Sequence, residues 1–158
     1  MVEESDHENR GVIEVNNSTS LARVLVRQII ESGITDVVIS PGSRNAPLSL
    51  AFFAAAERKL ITVHVRIDER TAAFFALGII KATGKPVAVV CTSGTAVANY
   101  HPAVLEAHHT NAPLLLLTAD RPAMLESHCH GERLQSWPFP VNLPYGFLLS
   151  VLALQRIR

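Results

Sequence analysis

Four short runs of almost wholly apolar residues divide this chain into repeats. They begin at Val37, Ile61, Val87 and Leu114, about 25 residues apart, and each leads into a polar loop. The first three loops are followed by stretches with apolar residues at helical spacing. Strands this continuously apolar are what a parallel sheet covered on both faces requires, because neither face meets water. The predicted fold class is therefore α/β, a doubly wound, mostly parallel sheet with helices on both faces, within a single domain of 158 residues.

Met1 to Asn17 is polar and reads as a flexible N-terminal arm. Ser18 or Ser20 then caps a helix that runs to about Ser32, with Gly33 as its stop. The predicted order continues with a strand at Val37–Ile39, a helix at Pro47–Glu57, a strand at Ile61–Val65 and a helix from Glu69 to about Ala82. A strand at Val87–Cys91, one helix from Thr95 to about His109 and a strand at Leu114–Leu117 complete it. The predicted domain covers residues 18–123. After it the repeat is lost: residues 124–158 hold Pro138, Pro140, Pro144 and the apolar stretch Phe147 to Leu154, an atypical, irregular tail that ends in a short helix or is not a native continuation.

Fourteen basic and fourteen acidic residues leave no net charge, so the chain is expected to bind neither nucleic acid nor an anionic membrane surface. Two cysteines make no disulfide framework, and the polar start lacks the pattern of a signal peptide, which predicts a cytoplasmic location. No apolar run approaches the roughly 20 residues that would insert in a bilayer.

In a parallel sheet, every loop that leaves the carboxyl end of a strand lies on one edge, the edge where α/β proteins keep their ligands. Pro41 to Asn45, Asp68-Glu69-Arg70, Thr92-Ser93-Gly94-Thr95 and Asp120-Arg121-Pro122 all fall there. Glu69 is the predicted chemical centre: the apolar helix that follows would partly desolvate its carboxyl group and suit it to proton work, although an acid at a helix start is also favoured by the helix dipole alone. Thr92, Ser93 and Gly94 offer hydroxyls and backbone amides to an anion or a polar ring edge, or serve simply as a helix cap. Arg44 and Arg121 suit a substrate with several carboxylates, unless Arg121 is occupied by Asp120 or Asp68. The adjacent histidines His108-His109 and the run His128-Cys129-His130 lack the spacing of a zinc site, so no metal ligand is assigned.

The four loops taken together carry a resemblance. Ser40-Pro41-Gly42-Ser43-Arg44, Asp68-Glu69-Arg70, Thr92 to Asn99 and Thr118 to Pro122 resemble, in order and spacing, the pyrimidine-binding N-terminal domain of the thiamine-diphosphate-dependent synthases of menaquinone biosynthesis. The resemblance implies that Glu69 hydrogen-bonds N1′ of the cofactor's aminopyrimidine, with Thr92, Ser93 and Gly94 beside it, and that Ser43, Arg44 and Arg121 hold substrate carboxylates. It implies a transferase that decarboxylates 2-oxoglutarate and adds the resulting succinyl semialdehyde carbanion to isochorismate, as a homo-oligomer. It also implies magnesium and a diphosphate held by a Gly-Asp-Gly…Asn motif of a later domain. This chain has no such motif, so by itself it is expected to be inactive. After Pro122 it departs from the family's Gly-Ala-Asn-Gln segment, with Cys129-His130-Gly131-Glu132 in its place, which fits an aberrant end. A non-catalytic assembly module, or the pyrimidine domain of another thiamine-diphosphate decarboxylase or synthase, is the alternative.

Overall fold

The computed structural model describes residues 17–119 and 149–153. Within them the chain runs α1 (Asn17–Glu31), β1 (Asp36–Ile39), α2 (Ala46–Glu57), β2 (Thr62–Val65), α3 (Glu69–Thr83), β3 (Val87–Cys91), α4 (Thr95–Asn99), α5 (His101–His109), β4 (Leu114–Ala119) and β5 (Leu149–Ala153). The strands form one sheet in the order β2-β1-β3-β4-β5. The first four are parallel, and β5 pairs antiparallel with β4.

Alternate residues of the strands feed two separate cores. Val38, Val87, Val89, Cys91, Leu114 and Leu116 face α3, α4 and α5. Val37, Ile39, Ala88, Val90 and Leu117 face α1 and α2. This period of two within an unbroken apolar run is what a sheet with helices on both faces requires. The doubly wound α/β fold follows from it.

The structure corrects several expectations. Helix α1 already begins at Asn17, so Ser18 and Ser20 lie inside its first turn and are not the residue that precedes it. Gly33 is its stop as expected, with φ at 86°. Strand β2 is only partly covered, with Thr62 and Val65 exposed, because it ends the sheet and has a neighbour on one side alone. The single helix expected from Thr95 to His109 is two helices. Pro102 sits in the first turn of α5, where it has no N–H to carry the α4 ladder onward, so the chain breaks at Tyr100. Strand β4 extends through Thr118 and Ala119, both buried and both expected in a loop. Part of the apolar stretch Phe147 to Leu154 is a strand and not a helix, since residues 149–153 supply β4 with a second neighbour.

Asp68 closes the N-terminus of α3. Its carboxylate accepts from the Thr71 hydroxyl and from the Thr71 backbone N–H at 2.9 Å, with Arg70 at 3.7 Å. The Thr71 hydroxyl first and its amide second hold the Asp68 carboxyl below its ordinary value of 3.8. The folded state thus favours the ionised cap.

Two predictions follow from the packing. Phe52, fully buried against the α1 face of the sheet, leaves a cavity on truncation, and Phe52→Ala is expected to cost about 3–5 kcal/mol in denaturant unfolding. Asp68→Ala is expected to lower the melting temperature at neutral pH. Because the cap's folded value is depressed, its contribution is complete above 3.8 and is lost as pH falls through the lower folded value, so the gap between variant and parent narrows in acid. Melting curves across that range check the sign.

Candidate functional site at the carboxyl edge of the sheet

Strand β1 pairs with β2 on one side and β3 on the other. The chain leaves β1 toward β2 and then crosses back over it to β3, which makes the β1/β3 boundary the switch point where open α/β sheets form a ligand crevice. Pairing continues past the ends of the strands there. The Ser40 N–H donates to Val90 O at 2.9 Å and the Arg66 N–H donates to Ile39 O at 3.0 Å, so the loops start from a fixed edge.

The loop after β1 rests on the loop after β3. A Cβ at Gly42 would lie 2.5 Å from the Thr92 Cβ, so no residue with a side chain fits position 42 unless Thr92 moves. Inside the same loop Asn45 is fully buried, and its Nδ2 donates to Ser40 O at 2.8 Å. On the other side of the contact, Gly94 takes φ 83° and ψ −141° to turn the chain into α4. Thr92, Ser93 and Gly94 are each half-buried on this edge.

Glu69 is the first residue of α3 and half-buried, whereas its neighbours Asp68 and Arg70 are exposed and paired with each other. Its charge bears on two buried groups beneath it. Burial first, then Glu69, raises the Cys91 thiol to about 12, while the Tyr100 hydroxyl pulls the other way. The Tyr100 phenol is raised as well, first by burial and then by Cys91, with Ser40 opposing and Glu69 adding to the rise. Cys91, Tyr100 and Ser40 thus lie together at the ends of β1 and β3, on the α3 side of the sheet, and the Glu69 charge bears on the first two.

Hydroxyls and an amide oxygen on this edge are left over. Ser40 Oγ, Asn45 Oδ1, Thr92 Oγ1 and Tyr100 Oη are buried without a hydrogen-bond partner. The Tyr100 hydroxyl is near enough to Ser40 and Cys91 to affect ionisation, yet outside hydrogen-bond geometry with either. Buried polar groups are normally satisfied, so these four atoms, and Ser49 Oγ in α2, are candidates to meet polar atoms of a ligand or of water.

Of the residues expected to form a site, the structure brings Glu69, Thr92, Ser93, Gly94, Ser43 and Arg44 onto one edge, Ser43 exposed and Arg44 half-buried. Arg121 lies outside the described residues, as do Asp120 and the run His128 to His130. His108 and His109 are exposed at the end of α5, away from this edge. Among the described residues no group of three or more His, Cys, Asp and Glu is placed to hold a metal ion. No described helix is long and apolar enough to cross a membrane. Ser40, Asn45 and Tyr100 were not among the expected site residues. The one sequence signal for them was Pro102, which marks the helix break that sends Tyr100 inward.

Comparison with known proteins agrees with this geometry. The chain is 57% identical over 113 residues to the 2-succinyl-5-enolpyruvyl-6-hydroxy-3-cyclohexene-1-carboxylate synthase of Saccharopolyspora erythraea, covering 72% of this chain and 20% of that protein. The synthase of the same name from Kineococcus radiotolerans is 58% identical over 108 residues, 68% of this chain and 19% of that protein. That of Oceanobacillus iheyensis is 57% identical over 97 residues, 61% and 16% respectively. The chain thus spans about a fifth of the length of these relatives. Residues 19–137 match the profile of the thiamine pyrophosphate enzyme, N-terminal TPP binding domain, and with Glu69 and the leftover polar atoms gathered on one sheet edge, the chain belongs to that family of thiamine pyrophosphate enzymes.

Proposed function

We propose that this chain supplies the pyrimidine-binding side of the active site in a thiamine-diphosphate-dependent synthase that decarboxylates 2-oxoglutarate and joins the product to isochorismate. The observation that carries the reading is the half-buried Glu69 carboxyl at the switch point, beside the buried ends of β1 and β3. The orphaned polar atoms on the same edge are the test of fit, since a heteroaromatic ring with donor and acceptor edges is the kind of group they suit.

Bound there, thiamine diphosphate supplies the electron sink for decarboxylation. The chain's own residues do the rest. Glu69 holds or takes a proton at N1′ of the aminopyrimidine, a task that calls for a carboxyl within hydrogen-bond reach and shielded from bulk water. Thr92, Ser93 and Gly94 line the ring's edge, and the tight contact of Gly42 with Thr92 fixes how far the two loops stand apart. Ser43 and Arg44, with Arg121, hold carboxylates of the substrates. Arginine suits that role because its planar fork meets a carboxylate through two parallel hydrogen bonds. Both substrates carry two carboxylates, which gives two arginines a use. Magnesium and the diphosphate fall to residues beyond those described, on another domain of a cytoplasmic homo-oligomer.

The test is made in a complete synthase that carries this domain in place of its own. Glu69→Gln is expected to slow exchange of the cofactor's C2 proton with solvent by about 10²–10⁴-fold, followed by proton NMR. An unchanged rate ends the assignment of Glu69. In the same protein Arg44→Ala is expected to raise the KM of the dicarboxylate substrates at least tenfold, the scale of one charge-assisted bidentate contact, with cofactor affinity unaltered by calorimetry. Equal KM values in variant and parent remove Arg44 from the substrate site.

A further inference from the structure

The side chain of Asn45 does not do what an asparagine in its place usually does. Asn45 immediately precedes α2, the position where an asparagine carboxamide oxygen normally accepts from the N–H of the second or third helical residue. Here it makes no such bond. The second helical residue is Pro47, which has no N–H to give, and only the Asn45 backbone carbonyl serves the helix, accepting from the Ser49 N–H at 2.9 Å. The carboxamide turns back along the chain instead, and its Nδ2 donates to Ser40 O at 2.8 Å. That is the one hydrogen bond the side chain makes among the described residues, since Oδ1 has no partner.

A wholly buried asparagine is costly where an apolar residue could fill the same space. What this one does is close a loop. Ser40 is held to β3 through its N–H on Val90 O at 2.9 Å, and Asn45 takes its carbonyl, so the end of β1 and the start of α2 are joined across Pro41, Gly42, Ser43 and Arg44. Within that loop Gly42 is seated against Thr92. Ser43 and Arg44 lie between the two anchored positions, Gly42 and Asn45, and they are the pair set against substrate carboxylates in the proposed function. A guanidinium carried on loose backbone would have to be ordered each time a substrate bound, and that ordering is subtracted from the affinity.

We propose that Asn45 is a positioning residue for Arg44: the Asn45–Ser40 hydrogen bond fixes the backbone of the loop from Pro41 to Arg44 before a substrate arrives, so that Arg44 meets a carboxylate without first being ordered. The inference rests on the reading of Arg44 as a substrate contact and adds the residue that prepares it. A merely structural asparagine would affect folding alone. A clamp affects loop order and substrate affinity together.

Two measurements test it. In the 158-residue chain, backbone amide order parameters are obtained by nitrogen relaxation. Those of Ser43 and Arg44 are expected near about 0.85 in the parent, the level of rigid backbone, and below about 0.6 in Asn45→Ala, with Val37 to Ile39 in β1 unchanged. Asn45→Asp, matched in size but without the N–H donors, is expected to behave as Asn45→Ala does. Parent values below about 0.6, or equal values in parent and variants, overturn the proposal, and the parent measurement decides alone if neither variant folds. In the complete synthase that carries this domain, Asn45→Ala is expected to raise the KM of the dicarboxylate substrates about 2–10-fold, the scale of one hydrogen bond between neutral groups, and to change kcat by less. Combined with Arg44→Ala it is expected to add nothing further, because both changes remove the same contact. A level KM, or effects on KM that multiply in the double variant, would equally overturn it. Should Arg44→Ala itself leave KM level, the substrate reading of Arg44 fails, while the order parameters still decide whether Asn45 holds the loop.

Discussion

Strand β1 is hydrogen-bonded to a parallel neighbour on each side, and the arrangement of the edge above it depends on that double pairing. Because the chain turns first to β2 and then crosses to β3, the loops leaving β1 and β3 stand side by side, and α3 enters from the β2 side. Ser40 and Arg66 carry the ladder one residue beyond the strands on both flanks of β1, so the loops begin from backbone that is already held. Rigid starting points are what a site needs when its groups must stand within a fraction of an ångström of their partners.

On this foundation the two members of the acidic pair take different tasks. Asp68 is spent on the helix, bound to Thr71 and Arg70 in full view of solvent. Glu69, one residue later and about 100° around the helix, is half-buried, and its charge bears on Cys91 and Tyr100. The cap therefore belongs to the functional geometry as much as to the stability of the helix.

Much of this was legible in the chain. Continuous apolar runs separated by helical stretches allow few arrangements, and the doubly wound sheet with its polar loops on one edge is the arrangement found. The errors have physical causes. The break at Tyr100 was hidden because Thr95 to His109 has good helix formers on either side of Pro102, and only the missing N–H of that proline divides them. The strand at residues 149–153 was missed because an apolar run of that length fits either a short helix or a strand until a partner edge is known, and here the partner is β4. The exposure of β2 was missed although Thr62 and His64 interrupt its apolar run, because its place at the end of the sheet is a matter of topology.

By itself the sequence determined the α/β class and the edge on which the loops after β1, β2 and β3 meet, because both depend on residue types at short spacing and on the common direction of parallel strands. Only the tertiary structure decided that Gly42 rests on Thr92 and that the Tyr100 ring, at the break between α4 and α5, is wholly buried against the sheet. These are contacts between loops and side chains far apart in the chain. Their distances are set by how helices seat on the sheet, and no local pattern of residues encodes that.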